Sequence, residues 1–168
     1  MDKQDTDLLR RLEAIYSEGA TRTPADRAAL LVAAELESLS ADAAFVATVS
    51  DDGTRIEVSR VTPYSDGPVH LAFPVNAPYP LAEVLRRPEA MFIESNEQLA
   101  CDHPGLVRVD AADHACATIP LRDVDDRVIG ALNLGFEDPH AFGEAERALI
   151  EEVAERCARA LEQALTAG

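Results

Sequence analysis

Residues 119–164, IPLRDVDDRVIGALNLGFEDPHAFGEAERALIEEVAERCARALEQA, contain the pattern that decides the fold. The β-rich runs 114–121 and 128–136 flank an acidic turn at 123–127, which predicts an antiparallel hairpin. A long terminal helix is expected over 144–165, because acidic residues open it and apolar or small residues recur at spacings of three and four. Those recurring residues are Ile150, Val153, Cys157, Ala160 and Ala164.

Two helices are predicted ahead of the first strand. Leu8, Leu12 and Ile15 place one apolar stripe on a charged helix over 6–17. A second helix is expected to run from the capping residue Thr23 to about 39, since proline follows at the first helical position and an acidic residue at the third.

The middle of the chain is predicted to be rich in strands. The runs 44–50 and 55–62 surround an Asp-Asp-Gly turn and indicate a further hairpin. Shorter strands are expected at 69–73 and 90–93, with a short helix over 81–87 between them. The segment 95–109 has the composition of a polar loop with about one helical turn.

This order of elements predicts an α+β fold with a central antiparallel sheet. The N- and C-terminal helices are expected on one face, and the short helix and loops on the other face, over a pocket. A chain of 168 residues suits one domain, with leading helices in 1–40, sheet and pocket in 41–136 and the terminal helix in 142–166.

Composition excludes several classes of partner. The 31 acidic and 15 basic residues give a formal charge of -16, which disfavours nucleic acid and anionic lipid surfaces. The stretch 67–82 is free of full charges but contains four prolines, so no membrane-spanning helix is expected. The N-terminus has no secretory pattern, and the three cysteines fit a reducing interior, so we expect a cytoplasmic protein with free thiols.

The order of these motifs resembles the GAF domain family. Residues 8–53 are similar to its leading helices and first hairpin, and residues 81–95 to its middle helix and strand. In the C-terminal half, the resembling positions are Pro120-Leu121, the turn at Asp125-Asp126, Ile129-Gly130-Ala131-Leu132, Phe142, and Glu144 or Glu146. These motifs are mostly structural, and they indicate the fold better than the function.

The resemblance implies a non-catalytic sensory or regulatory domain of bacterial signal transduction, similar to GAF modules found beside histidine kinases and serine phosphatases. Such domains bind a small molecule, dimerise, or do both, and act through a signalling partner protein. No nucleophile–base arrangement, phosphate loop or metalloprotease motif is recognisable, so no enzyme is expected. The cofactor is left unknown. A homodimer through the terminal helices is expected from the small residues of the three-four repeat.

The candidate pocket is drawn from polar and aromatic positions. Alternation along the strands puts Cys116 and Thr118 on one face, and the polar face is the better pocket wall because the face under the helices should be apolar. The expected lining residues are Tyr64, Tyr79, Phe92, Ser95, Cys116, Thr118 and Asn133. This mixture suits a small ligand that is neutral or singly charged.

Three other ligand classes stay open as alternatives. Asn133, Phe142 and Glu146 form half of the family's cyclic-nucleotide signature, without its lysine, and Phe142 and Glu146 also suit packing and capping. Cys101 or Cys116 could hold a bilin, although neither lies in a Cys-His dipeptide. Two soft ligands and two imidazoles within sixteen residues could bind zinc or sense redox state, namely Cys101, His103, His114 and Cys116. The last functional alternative is a purely structural docking module with a filled core.

Overall fold

The computed structural model describes residues 22–64 and 66–167, which contain six strands and five helices. The strands are β1 (Ala43–Val49), β2 (Arg55–Val61), β3 (Val69–Pro74), β4 (Met91–Ile93), β5 (Ala115–Arg122) and β6 (Val128–Phe136). The helices are α1 (Pro24–Ala33), α2 (Leu36–Leu39), α3 (Pro80–Arg86), α4 (Asn96–Asp102) and α5 (Glu144–Ala167). The first predicted helix, over 6–17, lies outside the described residues.

All six strands join one antiparallel sheet in the order β3-β2-β1-β6-β5-β4. The two central strands are β1, near the start of the described chain, and β6, near its end. Strand β2 follows β1 as its hairpin partner, and β5 precedes β6 as its hairpin partner. The predicted α+β class, antiparallel sheet and both hairpins are therefore confirmed. Among the described residues, no helix combines the length and the apolar character that crossing a bilayer requires.

Two elements differ from the sequence-based expectation. The helix predicted over 24–39 is broken, because the amide of Glu35 bonds to the carbonyl of Val32 and tightens the chain before α2. The break lets Leu36 and Leu39 reach the core. The predicted loop over 95–109 begins instead with the two-turn helix α4, which Ser95 caps by accepting a hydrogen bond from the amide of Gln98 at 3.1 Å.

Helices α1 and α5 pack on one side of the sheet, which we call the helix face. It is formed by alternate strand residues such as Val46, Ala117 and Leu134. Ile150, Val153 and Cys157 of α5 are completely buried against it. These three residues of the predicted dimer stripe pack in the protein's own core, so a dimer through α5 would have to use other positions of that helix.

The opposite side of the sheet, which we call the cover face, carries the other set of alternate residues. Helix α3 lies there over β5 and β6, and its buried residues share one apolar cluster with Phe45, Leu71 and Phe73 of the sheet. Part of the face is covered by α4, whose Leu99 clusters with Ile93 and Cys116. The irregular segment 103–114 between α4 and β5, which we call the cover loop, also lies on this face. Its path is tied to the turn before α3 by a hydrogen bond of 2.7 Å from the Val107 amide to the Pro78 carbonyl.

Candidate functional site

A small cavity lies between the cover face, the start of α3 and the cover loop. Its volume is about 10 Å³, which is close to the space that one water molecule occupies. The lining residues, which together we call the cover site, are Phe45, Pro80, Leu81, Arg108, Val109, Asp110, Asp113, Cys116 and Asn133.

The floor of the cover site is polar at one cross-strand pair. Thr118 and Asn133 face each other on β5 and β6, and the Thr118 hydroxyl donates a hydrogen bond of 2.6 Å to Oδ1 of Asn133. This bond fixes the amide so that Nδ2 is its remaining donor, and no acceptor among the described residues meets it. Both residues and Cys116 lie on the cover face, which confirms the predicted assignment of faces.

Arg108 of the cover loop has one buried nitrogen without a partner. Its Nε donates to Oδ1 of Asn96 at 2.6 Å, and its Nη2 donates to the carbonyl oxygen of His114 at 2.5 Å. These two bonds hold the guanidinium in place across the cover loop. Its Nη1 is buried and makes no hydrogen bond to nitrogen or oxygen of the described residues, and the guanidinium lies near the Cys116 thiol, whose pKa it lowers in part. Native proteins rarely leave such a donor unsatisfied, because its desolvation is not compensated.

The carboxylate of Asp113 is the least favourably placed charge in the cover site. Asp113 is 5% exposed, and its side chain makes no hydrogen bond among the described residues. Burial and the neighbouring Asp110 together raise the pKa of Asp113 to about 7, although Arg108 and Arg60 oppose the change. Asp113 therefore gains and loses its proton near neutral pH.

The carboxylate of Asp110, in contrast, has hydrogen-bond partners. It accepts hydrogen bonds from Nη2 of Arg60 at 3.3 Å and from the amide of Ala112 at 3.0 Å. The guanidinium of Arg60 also lies 5.7 Å from the centre of the Phe45 ring. The Arg60–Asp110 pair closes one side of the cover site. Nε of Arg60 is also buried without a partner, but Arg60 does not line the cavity, whereas Asp113 and Arg108 do.

Two of the predicted lining residues lie elsewhere. Tyr64 is 95% exposed, because it stands in the turn after β2, beyond the reach of the cover. Phe92 points to the helix face, since its strand neighbours Met91 and Ile93 occupy the cover face, and it packs against Phe142 with 5.4 Å between ring centres. Both assignments were wrong.

Two other predicted residues have structural roles near the site. Tyr79 is partly buried and packs edge-on against Phe73, with 4.8 Å between ring centres, at the start of α3. Ser95 caps α4 and does not line the cavity. Sequence reasoning missed Arg108 and Asp113, because charged residues in an irregular segment have the pattern of a solvated loop.

The cysteines and histidines that could have formed a metal or redox site do not converge. Cys101 is exposed on α4, whereas Cys116 is buried and its pKa is raised to about 11 by burial. His114 is exposed and bonds to Asn96 at 2.9 Å. Within residues 22–64 and 66–167, no three His, Cys, Asp or Glu side chains are grouped so that they could hold a metal ion, so the suggested convergence of Cys101, His103, His114 and Cys116 was wrong.

The half signature for cyclic nucleotides is split across the sheet. Asn133 lies on the cover face, whereas Phe142 packs in the helix-face core against Phe136, with 5.4 Å between ring centres. Glu146 accepts a short hydrogen bond from the ring of His140 near the start of α5. The three residues therefore do not surround one ligand, and the packing interpretation holds for Phe142.

A second polar cluster lies on the helix face at the start of α1. Oδ1 of Asp26 accepts a hydrogen bond from the Ser59 hydroxyl at 2.6 Å and lies 2.6 Å from Nε2 of His70. Oδ2 of Asp26 accepts from the Thr23 amide at 2.9 Å, which completes a capping box. Because the carboxylate, and not the imidazole, receives the Ser59 hydrogen bond, this arrangement differs from that of a nucleophilic serine. It anchors α1 to β2 and β3.

Comparison with known proteins agrees with this architecture. A family model described as GAF domain matches residues 23–162. No curated protein matches the chain.

Several solved structures share the fold. The GAF domain of an Acinetobacter phosphoenolpyruvate-protein phosphotransferase has a TM-score of 0.68 at 14% identity, with 100% of this chain and 98% of that chain covered. A free methionine-R-sulfoxide reductase from Neisseria meningitidis, solved with its substrate, has a TM-score of 0.66 at 15% identity over 100% and 95%. The second GAF domain of DevS from Mycobacterium smegmatis has a TM-score of 0.61 at 21% identity over 85% and 96%. At such identities these likenesses concern the fold alone.

Proposed function

This chain belongs to the GAF domain family, and from that premise we propose that it is a non-catalytic sensory domain whose regulatory small molecule binds at the cover site. GAF domains are in general sensory and regulatory modules. The proposal extends to bacterial signalling in the cytoplasm, with a partner protein that carries the output.

One observation carries the assignment of the site. Nη1 of Arg108 is buried without a partner, and Arg108 lines the same small cavity as Asp113, whose carboxylate has no hydrogen-bond partner among the described residues. Desolvated groups of this kind lower stability, so their presence together in a cavity favours a binding role over a purely structural one. The neighbouring cluster under α3, on the same face, consists of apolar residues.

The thiols support a non-catalytic role. One structural neighbour is a methionine-sulfoxide reductase, and a reductase of that kind would need a reactive thiolate. Here burial raises the pKa of Cys116 to about 11 and the pKa of Cys157 to about 12, which keeps both as thiols at neutral pH. Cys101 is exposed on the outer surface of α4 and is not part of the cover site.

Native mass spectrometry of the purified chain tests the proposal. We expect a fraction of the protein to retain a small molecule that is released on denaturation, and we expect Asp113→Asn to retain less of it. Asp138→Asn, which removes an exposed carboxylate after β6, is the matched control. If no small molecule is retained from cell extract, and no metabolite mixture raises the unfolding temperature, the sensory proposal is overturned.

A second candidate, a structural homodimerisation module, is favoured by the small volume of the cavity. At about 10 Å³ the core under the cover is nearly filled. A dimer would have to use exposed residues of α5 such as Ala145, Ala148 and Leu149, because the buried stripe of that helix is occupied. Sedimentation velocity at high micromolar concentration distinguishes the cases: a dimer that Leu149→Glu dissociates supports this candidate, and a monomer contradicts it.

A further inference from the structure

We propose that the cover site binds a small zwitterion with one carboxylate and one ammonium group, such as a free aliphatic amino acid. This inference rests on the proposed function, because it names the ligand class of the same site. It is drawn from the hydrogen-bonding groups that the folded protein leaves unused there.

The unused donors match a carboxylate. Nη1 of Arg108 and Nδ2 of Asn133 both belong to lining residues, and neither is bonded within residues 22–64 and 66–167. Each of the two oxygens of a carboxylate can accept from one such donor, and a bond from a guanidinium to a carboxylate is among the stronger ones in proteins. The other nitrogens of Arg108 hold it in place, so the free nitrogen is already oriented.

The unused acceptor matches an ammonium group. The Asp113 carboxylate lines the same cavity and is free of hydrogen bonds in the described part of the chain, whereas Asp110 is already bound by Arg60 and by the Ala112 amide. An ammonium has three donors and a full charge, which would compensate the buried carboxylate. Burial is the largest cause of the raised pKa of Asp113, and a bound ammonium group would oppose it.

The balance of charge favours a zwitterion over a simple ion. A purely anionic ligand would meet Asp113 and Asp110, and a purely cationic one would meet Arg108 and Arg60. The overall charge of -16 further disfavours anions. A molecule that carries both charges can pair with Arg108 through its carboxylate and with Asp113 through its ammonium group. Because its net charge is zero, the acidic surface of the protein does not repel it.

The walls indicate the rest of the ligand. Phe45, Pro80, Leu81 and Cys116 present apolar surface to the cavity, which suits an aliphatic side chain. The present volume of about 10 Å³ admits only a water molecule. Binding therefore requires outward movement of the cover loop or of α3, and it would break or shift the Val107–Pro78 hydrogen bond.

The test is a calorimetric titration of the full chain at pH 8, where Asp113 is ionised, with the proteinogenic amino acids. For the amino acid valine, the matched probes are isobutylamine, which lacks the carboxylate, and 3-methylbutanoate, which lacks the ammonium group. We expect one or more amino acids to bind, and we expect each counterpart that lacks one charge to bind at least about tenfold more weakly, a loss of about 1.4 kcal/mol.

Variants locate the binding. Asp113→Asn is nearly isosteric and should weaken amino-acid binding at least about tenfold while the chain stays folded, and Asp138→Asn should leave binding unchanged. Arg108→Gln should have an effect of the same direction, but it also loses the bonds to Asn96 and His114, so its circular dichroism must be checked first.

The outcomes separate this inference from the proposed function. If no amino acid binds at about 10 mM, or if an amine or acid counterpart binds as tightly, the zwitterion inference is overturned. Native mass spectrometry that finds another retained compound would then leave the sensory function standing. Amino-acid binding that Asp113→Asn leaves unchanged would overturn the assignment to the cover site.

Discussion

The carboxylate of Asp113 occupies the space next to Gly135 in which a side chain at position 135 would lie. A β-carbon built on Gly135 would be 2.8 Å from Cγ of Asp113 and closer still to one of its oxygens. Gly135 pairs with Cys116 across β5 and β6, so the missing side chain belongs to the cover face. The cover loop can reach the sheet here only because β6 has a glycine at this position.

Gly135→Ala should therefore displace Asp113 and the cover loop. We expect the variant to lose about 1–3 kcal/mol of stability, the usual cost of overpacking a filled interior. Chemical denaturation measures the change. Gly67→Ala is the matched control, since a β-carbon there meets no atom within 4 Å.

A double variant identifies the cause of that loss. Asp113→Ala removes the atoms that the new methyl group would meet, so Gly135→Ala should cost less in the Asp113→Ala background than in the native chain. Equal costs in the two backgrounds would mean that Asp113 does not set the requirement for glycine.

The second prediction concerns pH. Since the folded pKa of Asp113 is about 7 and its ordinary value is 3.8, the folded state binds more protons than the unfolded state between these values. Stability should therefore fall as pH rises from about 4 to about 7 and then level off, with a contribution on the order of 4 kcal/mol from this group.

Urea unfolding from pH 4 to pH 9 checks this dependence, and Asp113→Asn provides the comparison. The free energy of unfolding of Asp113→Asn should not show the decrease that Asp113 causes, so the difference between this variant and the native chain should shift in favour of the variant as pH rises. Asp138→Asn should follow the native profile. Parallel profiles for Asp113→Asn and the native chain would contradict the raised pKa.

The sequence predicted the parts of this molecule that depend on periodicity. Alternation in 114–121 put Cys116 and Thr118 on one face, because the period of a strand is two and a buried register tolerates no slip. The polarity of these residues and of Asn133 on the neighbouring strand then identified that face as the one away from the terminal helices. The predicted placement of Phe92 in the pocket was wrong because β4 has only three residues, which are too few for alternation to decide a face. Asp113 and Arg108 could not have been found in this way, since they lie in the cover loop, whose path is set by tertiary contacts such as Val107 to Pro78.

The third prediction concerns the terminal helix. Val153 is completely buried on the side of α5 that faces the sheet, so Val153→Glu should place an unpaired charge in the core and unfold the chain. A loss of about 3–5 kcal/mol is expected for an uncompensated buried charge. Gln163→Glu, which adds the same charge at an exposed position of the same helix, should change stability by less than about 0.5 kcal/mol. A folded Val153→Glu protein would mean that the stripe of α5 does not cover the sheet.

The fourth prediction concerns the three thiols. Cys101 is exposed, whereas burial raises the pKa of Cys116 and the pKa of Cys157 to about 11 and about 12. Ellman's reagent at pH 8 should therefore modify one thiol quickly in the folded chain and the other two only on unfolding. Cys101→Ser should abolish the fast phase. Fast reaction of two thiols in the native protein would be incompatible with this burial.

The last prediction concerns the anchor of α1. Burial alone would raise the pKa of Asp26, but hydrogen bonds from Ser59, the Thr23 amide and His70 outweigh it and hold the pKa below 3.8. A carboxyl group with a lowered pKa contributes stability above its unfolded pKa and loses that contribution as pH falls through the folded value. Ser59→Ala removes one of these donors, so it should cost about 1–2 kcal/mol near neutral pH and move the onset of acid unfolding to higher pH.

Urea unfolding at stepwise lower pH measures both effects, and Ser38→Ala, at an exposed position of α2, is the control. An unchanged acid transition in Ser59→Ala would mean that Thr23 and His70 alone keep Asp26 ionised, and that the bond between Ser59 and Asp26 contributes nothing to the anchor.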